Sequence, residues 1–206
     1  MLLAIDTSAG TSVAVVDREG GVLAEATETD TMRHAEVIGE LIATALDVSG
    51  TAVTALSGVV AGMGPGPFTG LRVGIAAAKA FAFGAGKPLV PVVSHDAVAL
   101  ERYGAGQRGA LLVVTDARRR ERYWTAYTGF DEFGLPVRLD GPGLSRPEDL
   151  PHPSLPRIES GVVSAGLLGM IAELRYANGL PFDRAEPLYL RSPDVTLSAG
   201  PKRVST

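Results

Sequence analysis

Three segments of the 206-residue chain carry residue types that could handle a phosphate. The first is Asp6-Thr7-Ser8-Ala9-Gly10-Thr11, which lies between the apolar runs Leu2–Ile5 and Val13–Val16. A hairpin of this kind can turn its backbone N–H groups into an anion-binding concavity. An Asp at the end of the first strand can hold Mg²⁺ through water, because hard cations prefer oxygen ligands. Asp6, Thr7, Ser8 and Thr11 are therefore nucleotide-binding candidates. The same residues also suit a plain Asx turn, in which the side chains bond their own backbone. Spacing alone leaves both readings open.

The second segment is Gly62-Met63-Gly64-Pro65-Gly66-Pro67-Phe68-Thr69-Gly70-Leu71-Arg72-Val73-Gly74. No Gly-Lys-Ser/Thr follows it, and Pro67 stands where a dinucleotide fingerprint would have its last glycine. What remains is a glycine-rich turn feeding a helix N-terminus, which could take an anion. A steric reading competes, in which Gly70 and Gly74 omit side chains so that another stretch of backbone can approach. A third candidate is the turn with Arg118, Arg119, Arg120 and Arg122, whose guanidiniums could touch phosphates of RNA or of a nucleotide. A turn between strands is solvated in any case, so these arginines are equally a surface feature.

Hydrolytic and metal chemistry find little support. There is no Gly-x-Ser-x-Gly elbow. His34, His95 and His152 form neither a His-x-x-x-His pair nor a His-Glu-x-x-His motif. His34 reads as a cap or surface residue at a helix start, His95 and Asp96 as a polar pair opening another helix, and His152 as loop surface. The absence of cysteine removes disulfides, thiolate metal sites and thiol nucleophiles. No catalytic residue and no metal ligand is assigned.

These residues need a scaffold, and the rest of the chain describes one. Apolar residues make up 46% and charged residues 20%, enough for a buried core. The net charge of −4 lacks the broad positive field with which a protein grips nucleic acid unaided. The N-terminus meets Asp6 without a basic leader, and the apolar stretch Val73–Gly86 contains Lys79 and falls short of the ~20 residues of a membrane span. A cytoplasmic protein is expected. The pattern predicts an antiparallel three-strand meander, then a helix with Thr31 as N-cap and Ile38, Leu41, Ile42, Ala45 and Leu46 as its stripe. A strand Ser57–Ala61, a helix Thr69–Phe83, a strand Leu89–Val93 and a helix capped by Ser94 follow. The second half repeats strand, polar turn, strand (Ala110–Val114 and Tyr123–Tyr127). Loops with at most one edge strand are expected over Gly134–Pro156, then a strand Ile158–Val163 and a helix Ser164–Ala177. Two lobes, 1–105 and 106–192, and a mobile tail at 193–206 follow from this reading. An internal duplication with an eroded second copy is the suggested origin.

The helix after the glycine-rich turn is unusual. Between Leu71 and Phe83 only Arg72 and Lys79 are charged, and they share one face. A helix apolar nearly all round is covered on more than one side. Its own sheet can supply one cover, and a partner is expected to supply the other.

Taken together, Ile5-Asp6-Thr7-Ser8, His34-Ala35-Glu36, Gly64-Pro65-Gly66-Pro67-Phe68-Thr69-Gly70-Leu71-Arg72-Val73-Gly74, Asp116-Ala117-Arg118 with Tyr123, and Pro187-Leu188-Tyr189-Leu190-Arg191 resemble, in this order, the TsaB (YeaZ) family. Pro67 and Ala35 stand where that family usually has serine. The resemblance implies an α/β, ASKHA (actin/Hsp70/sugar-kinase-like, RNase H-like) two-lobe fold with a reduced second lobe. It implies a non-catalytic partner of a TsaD-like transferase, which forms N6-threonylcarbamoyladenosine next to the anticodon of tRNAs reading codons that begin with A. Pairing would use the two helices of the first lobe, with His34, Ile38, Leu41, Arg72, Ile75, Ala76, Lys79 and Phe83 at the interface. A TsaE-like ATPase would dock on the pair, a homodimer could form in isolation, and tRNA would be met only through the complex. The metal of TsaD is held partly by a His-x-x-x-His pair. Here His95 takes the first position and Ala99 the second, which implies no metal centre. No stably bound cofactor is expected, at most weak ATP or ADP. The alternatives are a stand-alone ASKHA ATPase or kinase, which would need a second phosphate loop, and a peptidase of the glycoprotease superfamily, which would need a nucleophile–base pair or a metal.

Overall fold

The computed structural model describes residues 1–191, so the tail expected at 193–206 lies outside the described residues. The chain opens with the meander β1 (Leu2–Asp6), β2 (Thr11–Asp17) and β3 (Gly21–Glu28). There follow α1 (His34–Ser49), β4 (Gly58–Gly62), α2 (Phe68–Ala85), β5 (Leu89–Val92) and α3 (Ser94–Gly104). The second half comprises β6 (Leu111–Asp116), β7 (Arg122–Phe130), β8 (Pro136–Ser145), β9 (Arg157–Glu159) and α4 (Ala165–Ala177).

The first sheet runs β3-β2-β1-β4-β5, with β1 antiparallel to β2 and parallel to β4. The second runs β8-β7-β6-β9 and repeats that scheme, with β6 antiparallel to β7 and parallel to β9. Even the hairpin ends correspond: Asp6 pairs with Ser12, and Asp116 with Arg122. This is the ASKHA arrangement. Among the described residues the second sheet has no fifth strand, and a proline-led 3-10 turn at Pro147–Asp149 stands where the first half has α1.

Strands β1, β2 and β4 are buried on both faces, which is why they read as continuous apolar runs rather than alternating ones. Leu3, Ile5, Val13, Val15, Val59 and Ala61 pack beneath α1 and α2 against Ile38, Ala45, Leu71 and Ala78. Their neighbours Leu2, Ala4, Ala14, Val16 and Val60 face the opposite way, toward Val98 of α3 and Leu168, Ile171 and Ala172 of α4. Helix α4 thus follows the second sheet in sequence yet lies on the first. Gly169 makes this possible, since a Cβ there would stand 2.7 Å from Val16 Cγ2.

Several local expectations change. Helix α1 starts at His34 behind Arg33, with no side-chain cap, so Thr31 is not its N-cap. Val93, not Ser94, caps α3, because the Ser94 hydroxyl is engaged elsewhere. The strand expected over 158–163 is only Arg157–Glu159, since Val163 N turns to bond Ala9 O of the first hairpin. Ser164, expected as the first residue of the last helix, is instead the N-cap of α4, accepting from Leu167 N. The single edge strand of the proline-rich region is β8.

Candidate functional site

The first hairpin is filled by its own chain. Asp6, Thr7, Ser8 and Thr11 are all buried. Asp6 Oδ1 accepts from Ser8 N at 2.8 Å and Ser8 Oγ at 2.6 Å, while Oδ2 accepts from Ser94 Oγ at 2.5 Å. Ser94 Oγ in turn accepts from Gly64 N. Burial pushes the Asp6 carboxyl up from its usual range, opposed by the bonds from Ser8 and Ser94. Thr7 Oγ1 donates to Gly70 O at 2.7 Å and accepts from Gly74 N at 3.1 Å, entering the first turns of α2.

The steric reading of the glycine-rich segment is therefore the one the structure takes. A Cβ on Gly70 would lie 2.7 Å from Thr7 O, and one on Gly66 2.8 Å from Ser8 Cα. On Gly74 or Gly62 it would overlap Thr7 Oγ1 or the Asp6 carboxylate. The approaching backbone is the hairpin that was itself a phosphate candidate. With its carboxylate and hydroxyls spent internally, this hairpin does not fit a nucleotide–Mg²⁺ group.

His34, expected as a cap or surface residue, and His95, expected as half of a polar pair opening a helix, are both buried. His34 Nδ1 and Thr11 Oγ1 share a hydrogen bond of 2.7 Å, a hydroxyl–imidazole pair that the sequence did not announce. Thr11 is wholly buried, so its oxygen meets no substrate and the pair acts as a strut between hairpin and α1. Burial, and then the charge of Arg118, hold His34 below its ordinary pKa. His95 is 0% exposed, with its nitrogens 2.8 Å from Thr125 Oγ1 and 2.9 Å from Thr115 Oγ1. Burial and the charge of Arg138 push it down to about 3. With both nitrogens engaged and Ala99 one turn on, these residues do not fit a metal. Among the described residues no group of three or more His, Asp or Glu is placed to hold one.

Asp96 belongs to a charge cluster that no local sequence pattern announces. It accepts from Arg138 through both oxygens and from Tyr127 OH at 2.8 Å, and Arg175 lies 3.6 Å away. Asp183 bonds Arg138 at 3.2 Å, Arg175 at 2.8 Å and Val93 N at 3.1 Å. Burial raises the Asp96 pKa, against the pull of Arg138 and Tyr127. The cluster joins α3, β7, β8 and α4, so it is a tie between sheets.

Beside the α2 N-terminus opens a cleft of about 640 Å³. Pro67, Phe68 and Gly70 line one side, Arg118, Arg119 and Tyr123 the other, with Tyr189 and Arg191 across the mouth. Arg118, Arg119 and Arg120 are successive residues with left-handed backbone (φ 60°, 51° and 60°). Arg118 Nη2 crosses to Thr31 Oγ1 at 2.9 Å, and Arg122 pairs with Asp116. The segment 187–191 straps the cleft: Leu188 N bonds Met63 O at 2.8 Å, the Tyr189 ring packs against Phe68 at 4.8 Å, tilted by 52°, and Arg191 bonds Ala117 O and pairs with Glu121.

The expected partner face divides in two. Arg72, Ala76, Lys79 and Phe83 form one exposed stripe along α2, and Phe83 is 91% exposed. Leu41 is half-buried. Ile38 (8% exposed) and Ile75 (5%) belong to the core of the first lobe, and His34 to the strut, so these three are spoken for inside the chain. Among the described residues no helix is long and apolar enough to cross a membrane.

Residues 5–159 match the family described as TsaD, tRNA N6-adenosine threonylcarbamoyltransferase. An uncharacterized protein of Mycobacterium tuberculosis is 38% identical over 205 residues, covering 94% of this chain and 93% of that one. The tRNA threonylcarbamoyladenosine biosynthesis protein TsaB of Escherichia coli is 30% identical over 165 residues, 80% of this chain and 70% of that protein. A crystal structure from Pseudomonas aeruginosa, described as similar to peptidase YEAZ, superposes with a TM-score of 0.78 at 26% identity, covering 92% of this chain and 99% of that one.

Proposed function

The chain belongs to the TsaB/YeaZ family, and from that premise we propose that it takes part in forming N6-threonylcarbamoyladenosine in tRNA. Its role is that of a non-catalytic subunit paired with a TsaD-like transferase, which modifies the position next to the anticodon of tRNAs reading codons that begin with A. A TsaE-like ATPase docks on the pair, in the cytoplasm, and tRNA is met through the assembly. In isolation the same face pairs two copies.

The observation that carries this reading is the outer stripe of α2. Arg72, Ala76, Lys79 and Phe83 stand exposed on a helix whose inner side is fully packed. A large aromatic left 91% exposed beside an alanine is the composition of a surface awaiting a cover. The chemistry is better assigned to the partner. The first hairpin spends its carboxylate on Ser8 and Ser94, and phosphoryl or adenylate chemistry works by gripping a substrate from several sides.

The test is reconstitution with the transferase, the ATPase, tRNA and threonylcarbamoyl-adenylate, omitting one component at a time. Modification is expected to require this chain and to be absent when it acts alone. Equal modification without it removes the subunit role, and modification without the transferase makes the chain an enzyme.

A further inference from the structure

The arginine turn and the strap over the cleft have no part in the pairing just described. We propose that they form a docking surface for an unpaired segment of RNA, with the turn taking backbone phosphates and Tyr189 stacking on a base. The proposal rests on the reading above, since it names a surface of this subunit that would meet the assembly's tRNA.

Charge is the first argument. The chain is acidic overall, yet Arg118, Arg119, Arg120 and Arg122 fall within five residues, and Arg72 and Arg191 stand close to the same opening. Asp116 pairs with Arg122, and Glu121 with Arg191. The contacts of the Arg118 guanidinium are instead the neutral Thr31 hydroxyl and Met32 sulfur, which hold it at the cleft without cancelling its charge. A phosphate is the partner that a guanidinium held at a cleft in this way suits best.

The backbone supplies the second argument. Arg118–Arg120 are left-handed throughout, and Glu121 N closes the turn on Arg118 O at 3.0 Å. Left-handed backbone costs a residue with a Cβ about 1–2 kcal/mol, and a turn selected for shape alone would favour glycine or asparagine there. Arginines hold three such positions here, and Arg118 and Arg119 line the cleft.

The third argument is the wall facing them. The Arg72 guanidinium lies 4.0 Å over the Phe68 ring, and Phe68 lies 4.8 Å from Tyr189, which is 37% exposed. A cation–aromatic–aromatic ladder with an accessible outer ring is a platform for one base. A 640 Å³ cleft has the volume of a single small-ligand site, so it fits one splayed nucleotide and not a duplex. Proteins read RNA mostly through such unstacked bases, laid on aromatic and guanidinium planes.

The experiment measures tRNA binding by the complex of this chain with its transferase across a salt series. Variants are Arg118→Gln/Arg120→Gln, Tyr189→Ala and, as a charge control beyond the cleft, Arg108→Gln. Sizing chromatography and melting curves verify assembly and folding of each. The double variant is expected to flatten the slope of log affinity against log salt by about 1.4, at ~0.7 per phosphate contact to a single strand. Tyr189→Ala is expected to weaken binding between about fivefold and a hundredfold with the slope unchanged. Slopes and affinities equal to those of the Arg108→Gln control overturn the proposal, as does AMP or ADP displacing tRNA from the cleft at concentrations near their own Kd. If the wild-type chain fails to join the transferase, the subunit reading falls and takes this proposal with it. If assembly and modification proceed alike in wild type and variants, only the RNA surface falls.

Discussion

Thr7 Oγ1 sits in the backbone ladder of α2, donating to Gly70 O and accepting from Gly74 N, at 2.7 and 3.1 Å. The glycine at 74 exists for this threonine. Gly74→Ala is expected to destabilise the protein by about 1–3 kcal/mol, because the new methyl overlaps Thr7. Gly84→Ala, on the same helix with nothing within 4 Å of the added Cβ, is expected to stabilise it by up to about 1 kcal/mol. Adding Thr7→Ala should return at least ~0.5 kcal/mol of the Gly74→Ala loss. Urea denaturation of the four proteins checks the set. Equal behaviour of the two glycine sites would refute the close approach.

His95 makes stability depend on pH. Its folded pKa is about 3, below the ~6.5 of an unfolded histidine. The unfolded chain therefore takes up the proton first. The neutral, doubly bonded imidazole contributes fully above about pH 6.5, and its contribution is lost at about 1.4 kcal/mol per unit as pH falls toward 3. Unfolding free energies of wild type and His95→Gln, measured from pH 7 to 4, should converge at that slope. The buried carboxyls of Asp6 and Asp96 titrate in both proteins and cancel in the difference. Parallel curves would mean that His95 is not held neutral.

The outer face of α2 separates association from folding. Ala76→Glu and Phe83→Ser change exposed positions, so melting should move by no more than ~0.5 kcal/mol of stability. Association with the transferase should weaken at least about thirtyfold. Unimpaired co-elution of both variants would show that another face makes the pair.

What the sequence made legible follows from how local each signal is. The β1–β2 hairpin and α2 were readable because apolar runs and glycine punctuation lie within a few residues. That Gly70 and Gly74 admit a close neighbour was readable too, but the neighbour, Thr7, is 63 positions from Gly70. Ser94 looked like a helix cap because the residues around it suit one, whereas its hydroxyl goes to Asp6, 88 positions away. The same limit hid the Thr11–His34 strut and the ties from Asp96 and Asp183 to Arg138, whose partners meet only in the folded chain. Helical spacing put Ile75 and Ala76 on the same helix without saying that one faces the sheet and the other does not.

The return of α4 to the first sheet has a consequence for how the protein is made. Ala4, Ala14, Val16 and Val60 are covered by residues near 168–172. During translation the first sheet emerges with one face covered only by α3, and the α4 part of its cover is synthesised after the whole second sheet. A nascent chain paused between residues 105 and 165 would display an apolar surface on an otherwise formed sheet, the kind of target that chaperones hold and proteases find.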